Sequence, residues 1–394
     1  MGEKRSVTDA AVRGRRVLVR VDFNVPQTPT GGIADDRRIV EALPTLEHLR
    51  AHGARSILVS HLGRPEGRRD PKLSLRPIAH RLSQLVGQPV LFADDAVGYS
   101  AIELASRMKD GDLLLLENVR FHAGEEANDP AFAAQLARLA ELFVEDAFGT
   151  LHRAHASTVG VAKRLPSFAG LLVAREVREL SRLRDAPIAP YVAILGGAKV
   201  RDKLPLLSSF LGRTQLILIG GALSFPFLAA AGHSLGATET EPGLEPAVRE
   251  FLQAAADRGT RVLLPEDAVI ERPDRSSVEV VRLDAVPSDG RIRDIGPATQ
   301  RTFASALAEA RTVFWNGPLG LAEDARFSEG TRAVLGSLRG STAYRVAAGG
   351  DSAAIAEALG VIESFNFIST GGGAALEFVQ GADLPGLAVL PDAR

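Results

Sequence analysis

The stretch YVAILGGAKVRDK, residues 191 to 203, joins a short apolar run to a glycine-rich turn and then to a polar segment with two lysines. An apolar run followed by such a turn and a helix-like stretch is typical of a strand–helix unit. The turn resembles a phosphate-binding loop, but the Gly-x4-Gly-Lys-[Ser/Thr] order of a P-loop is missing. The stretch therefore predicts a parallel sheet, and it leaves the purpose of Lys199 and Lys203 to be explained.

The same unit recurs along the whole chain. The apolar runs are RVLVRV, SILVS, LLLL and LFVE in the first half, and YVAIL, LILIG, VLLP, VFW, YRVAA and FNFIS in the second. Near-continuous apolar runs that alternate with helices indicate parallel strands covered on both faces. We therefore predict an α/β fold of two doubly wound, Rossmann-like parallel-sheet domains, whose ligands bind beyond the carboxyl ends of the strands.

A long helix is predicted between the two halves. Residues 171–186, LLVAREVRELSRLRDA, have apolar residues at helical spacing and precede Pro187 and Pro190. We expect an N-terminal domain over 1–172 and a C-terminal domain over 173–375 that starts with this interdomain helix. Residues 376–394 are expected to form a tail that packs back on the N-terminal domain.

Composition excludes several kinds of function. The formal net charge of −2 provides no overall field for nucleic acid or a membrane surface, so any anion site must be a local cluster. The absence of cysteine excludes disulfides, a thiolate nucleophile and zinc–thiolate sites, and no apolar run is long enough for a membrane helix. We expect a cytoplasmic protein. Of the 46 lysines and arginines only six are lysines, so two lysines one helical turn apart are unusual here.

Cationic side chains follow predicted strands or open predicted helices throughout the first half. They are Arg37, Arg38, His61, Arg64, Arg120 and Arg153. Each alone is more often a solvated charge, but a ring of arginines suits a ligand that carries both carboxylate and phosphate. Asp22 and Asn24 follow the first strand, where they either bind a hydroxylated substrate or cap a turn. His152 and His155 make a weak metal site without a third ligand.

The second half has three glycine-rich turns that open helices. A helix from near Ala198 would place Lys199 and Lys203 on one face and aim its positive end at an anion. The stretches AAGGDSAAIAEAL (347–359) and STGGGAALEF (369–378) offer two more helix N-termini for anions. Asp351 either caps its helix or coordinates magnesium, and Glu323 is a candidate acceptor for ribose hydroxyls.

Eight stretches stand in one order along essentially the whole chain: VRVDFNVP, SHLGRP, LLLLENVRF, EDAFGTLHRAHAST, AILGGAKV, WNGPLG, GGDS and STGGGA. In these stretches and in their order the chain resembles the phosphoglycerate kinase family. The resemblance implies a phosphotransferase with a carboxyl group as acceptor. Its reaction is reversible transfer between 1,3-bisphosphoglycerate and ADP, giving 3-phosphoglycerate and ATP, with Mg²⁺ as cofactor and no general base.

The resemblance also implies the site residues. The phosphoglycerate site would fall on Asp22, Phe23, Asn24, Arg38, His61, Leu62, Gly63, Arg64, Arg120 and Arg153. The nucleotide site would fall on Lys199, Lys203, Asn316, Glu323, Gly349, Gly350, Asp351 and Ser352, with Asp351 holding magnesium. Arg38, Lys199 and Gly372, at the glycine-rich helix end, are expected to act on the transferring group. The implied enzyme is a monomer that closes about the interdomain helix and has no nucleic-acid or membrane partner.

Three departures from the family pattern lie in the second half. The chain has GGALSFPF, with Ala222, Leu223 and Pro226, where the family has a Gly-Gly-Gly-Met run. Ala322 and Asp324 flank Glu323 where aromatic residues are common, and Ser352 replaces a threonine but keeps the hydroxyl. The first two departures bear on nucleotide affinity and base preference, not on the chemistry.

Two other function classes fit the same fold. A non-catalytic nucleotide-binding protein would be expected to lack one of Arg38, Lys199, Lys203 or Asp351, and all four are present. A nicotinamide dehydrogenase would need Gly-x-Gly-x2-Gly after a first strand and an acidic residue about 20 positions on, and neither half opens with such a unit.

Overall fold

The computed structural model describes residues 3–274 and 278–393. It contains two six-stranded parallel sheets and one three-stranded antiparallel sheet. All ten apolar runs named above contain or overlap strands of the two parallel sheets. The predicted fold class, two doubly wound parallel-sheet domains, is confirmed.

The chain divides into two compact units, residues 1–178 with 383–394 and residues 179–382, called here the N-terminal and C-terminal units. The division lies inside the helix Leu171–Arg184, which covers most of the helix predicted over 171–186. The expected boundary after residue 172 is a few residues earlier, and the terminal segment of the N-terminal unit begins at 383, after the expected 376. Among the described residues, no helix combines the length and the apolar character needed to cross a membrane.

The N-terminal unit is built on a parallel sheet in the order β3-β4-β2-β1-β5-β6. Its strands are β1 (Arg16–Arg20), β2 (Arg55–Val59), β3 (Val90–Phe92), β4 (Leu113–Leu115), β5 (Leu142–Glu145) and β6 (Ser167–Ala169). Its helices are α1 (Arg37–Ala51), α2 (Arg76–Val86), α3 (Tyr99–Arg107), α4 (Ala123–Glu126), α5 (Pro130–Ala137) and α6 (Leu171–Arg184), of which α6 continues past the division. The edge strands β3 and β6 were not predicted.

Side chains of one strand alternate between two cores, as the period of a strand requires. Val17 and Val19 of β1 lie in one apolar cluster, and Leu18 between them lies in the cluster on the opposite face. Both faces of the sheet are therefore covered, which explains why the strand sequences are apolar without alternation. The polar residues that follow the strands are left at the carboxyl edge.

The C-terminal unit has a parallel sheet in the order β15-β14-β13-β7-β8-β9 and an antiparallel sheet in the order β11-β10-β12. Its strands are β7 (Tyr191–Leu195), β8 (Leu216–Ile219), β9 (Arg261–Leu263), β10 (Asp267–Glu271), β11 (Val278–Arg282), β12 (Arg291–Ile295), β13 (Thr312–Asn316), β14 (Tyr344–Ala347) and β15 (Phe367–Ile368). Its helices are α7 (Val200–Phe210), α8 (Phe225–Ala230), α9 (Glu245–Asp257), α10 (Pro297–Leu307), α11 (Glu329–Gly336), α12 (Ser352–Ala358) and α13 (Gly372–Gln380), and α14 (Pro385–Ala388) belongs to the N-terminal unit.

The antiparallel sheet was not predicted. Its outer strand β11 alternates between exposed and half-buried residues, so it lacks the continuous apolar run on which the prediction rested. The main sheet follows the expected pattern: Trp315 and Ile194 lie in one cluster, while Phe314 packs on the other face against Phe210 at a ring-centroid distance of 5.2 Å.

Candidate active site

In the N-terminal unit, polar residues from the ends of β1 and the start of α1 are bonded together at the carboxyl edge. Arg38 Nη1 donates to Asp22 Oδ2 at 3.0 Å and to the backbone oxygen of Asn24 at 3.0 Å. Asp22 is nearly buried, whereas about a quarter of the Arg38 side chain remains accessible. The carboxylate thus orients one edge of the guanidinium and leaves the rest of it available for a ligand.

The turn after β2 is held by the same cluster. Asn24 Oδ1 accepts from the backbone N–H of Gly63 at 2.9 Å, and Arg120 Nη1 donates to the Gly63 oxygen at 2.8 Å. Asn118 binds both the N–H and the oxygen of Leu62, and the N–H of Phe23 donates to Ser60 Oγ. The backbone groups of Phe23, Leu62 and Gly63 are therefore already used inside the protein, and these residues shape the turn.

His61 lies at the centre of this cluster and is 4% exposed. Burial, followed by the charges of nearby Arg20, Arg120, Arg38 and Arg153, holds the pKa of His61 well below its usual value. Arg20 Nη2 lies 3.2 Å from His61 Nδ1, and a guanidinium can only donate. The imidazole is therefore neutral with its proton on Nε2, where it can donate to an anionic ligand.

Two further predicted cations are less constrained. Arg64 is exposed and has no hydrogen-bond or ion-pair partner among the described residues. Arg153 is half-buried, and its Nε donates to His152 Nε2 at 3.1 Å. The described part of the chain contains no group of three or more His, Asp or Glu side chains that could hold a metal, so His152 and His155 gain no third ligand there.

Sequence reasoning did not predict the buried charged side chains close to His61. Arg20 is fully buried in β1, its Nε donates to Ser157 Oγ at 2.9 Å, and it lies opposite Glu145 of β5 in the sheet register. Glu125 accepts from Ser157 Oγ at 2.6 Å. Burial raises the pKa of Glu125 and, more strongly, that of Glu145, against the opposing charge of Arg20. The available signal was a charged residue inside each of the apolar runs RVLVRV and LFVE.

In the C-terminal unit the two lysines do not share a helical face, contrary to the prediction. The helix α7 begins at Val200, not near Ala198, and Lys199 precedes it with a left-handed backbone at φ 55°. Lys199 is exposed without a partner among the described residues, whereas Lys203 Nζ donates to the backbone oxygen of Gly196. Burial lowers the pKa of Lys203 to about 8, and the charge of Asp351 opposes this shift.

The N-terminus of α7 was expected to bind a ligand anion, but it already holds a carboxylate. Glu241 Oε1 accepts from the N–H of Val200 at 2.7 Å, and its Oε2 accepts from the N–H of Arg201 at 3.2 Å. Glu241 is 41 residues away along the chain, so local spacing gave no sign of this contact. The expectation that these two amides are free for phosphate is therefore wrong.

The turn after β14 is packed against the end of β13. Asn316 Nδ2 and Ser352 Oγ both donate to the Ala348 oxygen, at 2.7 and 2.9 Å. A Cβ on Gly349, whose φ is +130°, would lie 2.3 Å from Asn316 Nδ2. Asn316 Oδ1 is buried without a hydrogen-bond partner among the described residues. A buried acceptor of this kind indicates a ligand donor at this turn.

The remaining predicted residues of this edge are two exposed carboxylates and the buried Gly372. Asp351 and Glu323 are both exposed, and Asp351 makes no capping hydrogen bond to its own helix α12. Gly372 starts α13 with φ 52°, and the N–H of Gly371 donates to Ser369 Oγ at 3.1 Å. A single free carboxylate fits Mg²⁺, because this ion is usually bound by one or two carboxylates plus phosphate oxygens and water.

Comparisons with known proteins agree with the resemblance seen in the sequence, over nearly the whole chain. A family model described as phosphoglycerate kinase matches residues 7–382. A curated phosphoglycerate kinase of Desulforudis audaxviator is 46% identical over 390 residues, which cover 98% of this chain and 99% of that protein. One of Pelotomaculum thermopropionicum is 47% identical over 391 residues, covering 99% of both.

Solved structures match as well. The phosphoglycerate kinase from Coxiella burnetii superposes with a TM-score of 0.88 at 38% identity, with 98% of each chain covered. That from Pyrococcus horikoshii OT3 gives 0.87 at 30% identity, again with 98% of each chain covered. The chain belongs to the phosphoglycerate kinase family.

Proposed function

We propose that the arginine cluster of the N-terminal unit binds the phosphoglycerate substrate and that the glycine-rich edge of the C-terminal unit binds the nucleotide. The reaction that follows from family membership is reversible phosphoryl transfer between 1,3-bisphosphoglycerate and ADP, giving 3-phosphoglycerate and ATP. The observation that carries the substrate assignment is the cluster at this edge, in which Arg20 contacts His61, Arg38 contacts Asp22 and Arg120 contacts the turn at Gly63. Such a concentration of positive charge is matched by a small ligand with a phosphate and a carboxylate.

The chemistry needs no general base. In the ATP-forming direction, a β-phosphate oxygen of ADP forms a bond to the phosphorus of the acyl phosphate. The bond from that phosphorus to the carboxyl oxygen breaks, and the carboxylate of 3-phosphoglycerate leaves. The nucleophile of either direction is already ionised at neutral pH, so catalysis consists of positioning and charge stabilisation.

Three groups are assigned to the charge of the transferring phosphoryl group: Arg38, Lys199 and the amides at the start of α13 near Gly372. Arg38 is oriented by Asp22 on one edge and accessible on the other, as a donor to a developing charge must be. Lys199 is exposed, so its ammonium is not committed to a protein partner among the described residues. His61, neutral and protonated on Nε2, is assigned to substrate binding and not to proton transfer.

Nucleotide binding is assigned to Lys203, Asn316, Glu323 and the turn Gly349–Ser352. The unpartnered Oδ1 of Asn316 and the exposed carboxylate of Glu323 are acceptors for ribose or base donors, and Lys203 supplies charge for phosphate. Asp351 would hold Mg²⁺, which supplies charge neutralisation at the phosphates when bound. Ser352 keeps its hydroxyl, although that hydroxyl donates to the Ala348 oxygen in the structure.

Since each substrate is assigned to a different unit, we propose that the enzyme closes about α6 to bring them together and to exclude water from the acyl phosphate. Small-angle scattering with both substrates tests this proposal, and the absence of compaction would contradict it.

We further propose a cytoplasmic monomer without a nucleic-acid partner, in line with the net charge of −2. Light scattering after size-exclusion chromatography measures the oligomeric state.

The deciding experiment is a coupled assay of ATP formation from 1,3-bisphosphoglycerate and ADP with Mg²⁺. A non-catalytic nucleotide-binding protein would bind ADP without forming ATP, and a nicotinamide dehydrogenase would require NAD(P)⁺ or NAD(P)H. Removing Mg²⁺ with a chelator should abolish turnover and leave binding of 3-phosphoglycerate, measured by calorimetry, unchanged. Loss of 3-phosphoglycerate binding on chelation would contradict the assignment of the metal to Asp351.

A further inference from the structure

A carboxylate from a distant loop is fixed against the first residues of α7. Both oxygens of Glu241 accept backbone hydrogen bonds, from Val200 at 2.7 Å and Arg201 at 3.2 Å. These two N–H groups belong to the first turn of the helix, where no backbone acceptor is available to them. Glu241 thus supplies both a cap and a negative charge at the positive end of the helix.

The loop that carries Glu241 is itself anchored to the antiparallel sheet. The N–H of Ala237 donates to the Gly290 oxygen at 2.9 Å, and Thr238 Oγ1 accepts from the N–H of Ile292 at 2.9 Å. Glu241 follows three residues after Thr238 and is half-buried. The Glu241 carboxylate therefore links the start of α7 to a loop that is hydrogen-bonded to β12.

The residue that precedes this capped turn is Lys199. Its backbone is left-handed, at φ 55° and ψ 63°, a conformation that a residue with a side chain adopts only when its surroundings impose it. Its own side chain makes no capping bond and is exposed. The direction of the Lys199 side chain is consequently set by the backbone on either side of it, and on one side that backbone is held by Glu241.

We propose that Glu241 is a positioning residue that holds Lys199 in place for phosphoryl transfer by capping α7. This inference rests on the proposed role of Lys199. Without the carboxylate, the first turn of α7 loses two hydrogen bonds and the left-handed conformation at Lys199 loses its support. Lys203 lies a turn further along and is anchored independently to the Gly196 oxygen, so nucleotide binding should be affected much less than turnover.

The first test compares Glu241→Ala and Glu241→Gln with Glu239→Ala in the ATP-formation assay. Glu239 is an exposed acid two residues away, with no hydrogen-bond or ion-pair partner among the described residues, so its removal makes the same change of charge. We expect Glu241→Ala to lower kcat by roughly fivefold to thirtyfold, the range that corresponds to loss of a helix cap, with KM for ADP nearly unchanged. Glu241→Gln, which keeps one acceptor oxygen, should fall between wild type and Glu241→Ala.

The second test is a double-mutant cycle with Lys199→Ala, with the folded fraction of every variant measured by circular dichroism. If Glu241 acts through Lys199, then Glu241→Ala lowers kcat in the wild-type background but has no further effect beside Lys199→Ala. Equal effects in both backgrounds would overturn the proposal. A lower KM for ADP in Glu241→Ala would also overturn it, because the carboxylate would then be a competitor of the phosphates.

The proposed roles of Lys199 and Glu241 can be refuted separately. A normal kcat for Lys199→Ala would refute the proposed role of Lys199, and with it the inference about Glu241. A lowered kcat for Lys199→Ala together with a normal kcat for Glu241→Ala would refute the positioning role alone and leave the proposed function intact.

Discussion

The two candidate sites are built in different ways. In the N-terminal unit, the site side chains are fixed by hydrogen bonds to other protein groups: Arg38 to the Asp22 carboxylate, and Asn24 and Arg120 to the backbone of Gly63. In the C-terminal unit, close-packed backbone at glycine turns lines the candidate site, and three of the side chains assigned to the ligand, those of Lys199, Glu323 and Asp351, are exposed. Ligand binding at the first site should therefore be sensitive to loss of a buried charge. Binding at the second site should be sensitive to a side-chain atom added at one of its glycines.

Chemistry gives a reason for the difference. A cluster of arginines repels itself unless buried carboxylates and hydrogen bonds fix it, and Glu125 and Glu145 lie near Arg20 for that purpose. A nucleotide brings its own charge and many acceptors, so its site needs free donors and close backbone approach. The following predictions, from the largest expected effect to the smallest, test this contrast.

The largest effect is expected from Arg20→Met. This change removes the cation that faces Glu145 and Glu125 inside the N-terminal unit, and leaves buried acids without compensation. Breaking a buried ionic cluster by removal of one partner costs about 3–5 kcal/mol in the free energy of unfolding. Urea denaturation measures the loss, and hydrogen exchange should assign it to residues 1–178. Arg55→Met, at an exposed pair with Asp110, is the control and should cost about 1 kcal/mol or less.

Arg38→Ala should lower kcat by about 10²–10³-fold, as expected for loss of one preorganised donor to a developing charge. Arg37→Ala removes the neighbouring arginine, whose guanidinium binds Asp35, and should leave kcat close to that of the wild type. Both variants are measured in the ATP-formation assay after circular dichroism has shown that they are folded. Near-normal turnover of folded Arg38→Ala would refute the catalytic assignment and weaken the idea that the first site depends on fixed side chains.

The sequence predicted the parallel sheets well because β-rich apolar runs report burial on two faces directly. It failed at features that depend on distant residues. The capping of α7 by Glu241 joins positions 41 residues apart, and the antiparallel strand β11 lacks a continuous apolar run. The apolar run RVLVRV contains Arg20, but the run alone does not predict a buried charge there, since only the strand register places Arg20 opposite Glu145.

The prediction of the site residues was limited in a similar way. The sequence and the family resemblance named Arg38, His61 and Arg120, and the structure brings them together. They could not reveal that the amides of Leu62 and Gly63 are bonded inside the protein, or that Lys199 precedes its helix, because both depend on backbone conformation.

Gly349→Ala should act on the second site alone. A Cβ would lie 2.3 Å from Asn316 Nδ2 and 2.9 Å from Ser352 Oγ, and φ +130° is unfavourable for alanine. Strain of about 1–3 kcal/mol at this turn should raise KM for ADP by roughly fivefold to a hundredfold, with KM for 1,3-bisphosphoglycerate unchanged. Gly336→Ala, at a glycine with open space around its Cβ position, is the control for the substitution itself. An equal rise in both KM values would mean that the two sites are not independently built.

The smallest effect is a pH dependence of nucleotide binding. The pKa of Lys203 is lowered by burial to about 8, so the ammonium loses its charge as pH rises through this value. Bound phosphate favours the charged form and raises the pKa again, so binding takes up a proton above pH 8 and weakens as pH increases further. The Kd of ADP, measured by calorimetry, should therefore rise by up to about fivefold between pH 8 and pH 9, since the charged fraction of a group with a pKa of about 8 falls from about one half to about one tenth over this range.

Lys203→Arg provides the matched variant, because a guanidinium remains charged throughout this range. Its Kd for ADP should be nearly constant between pH 8 and pH 9, even if the longer side chain weakens binding at every pH. A wild-type Kd that is equally constant would show that Lys203 carries no charge into the nucleotide site. The second site would then rely on backbone donors and Lys199 alone, which would sharpen its difference from the arginine cluster of the first.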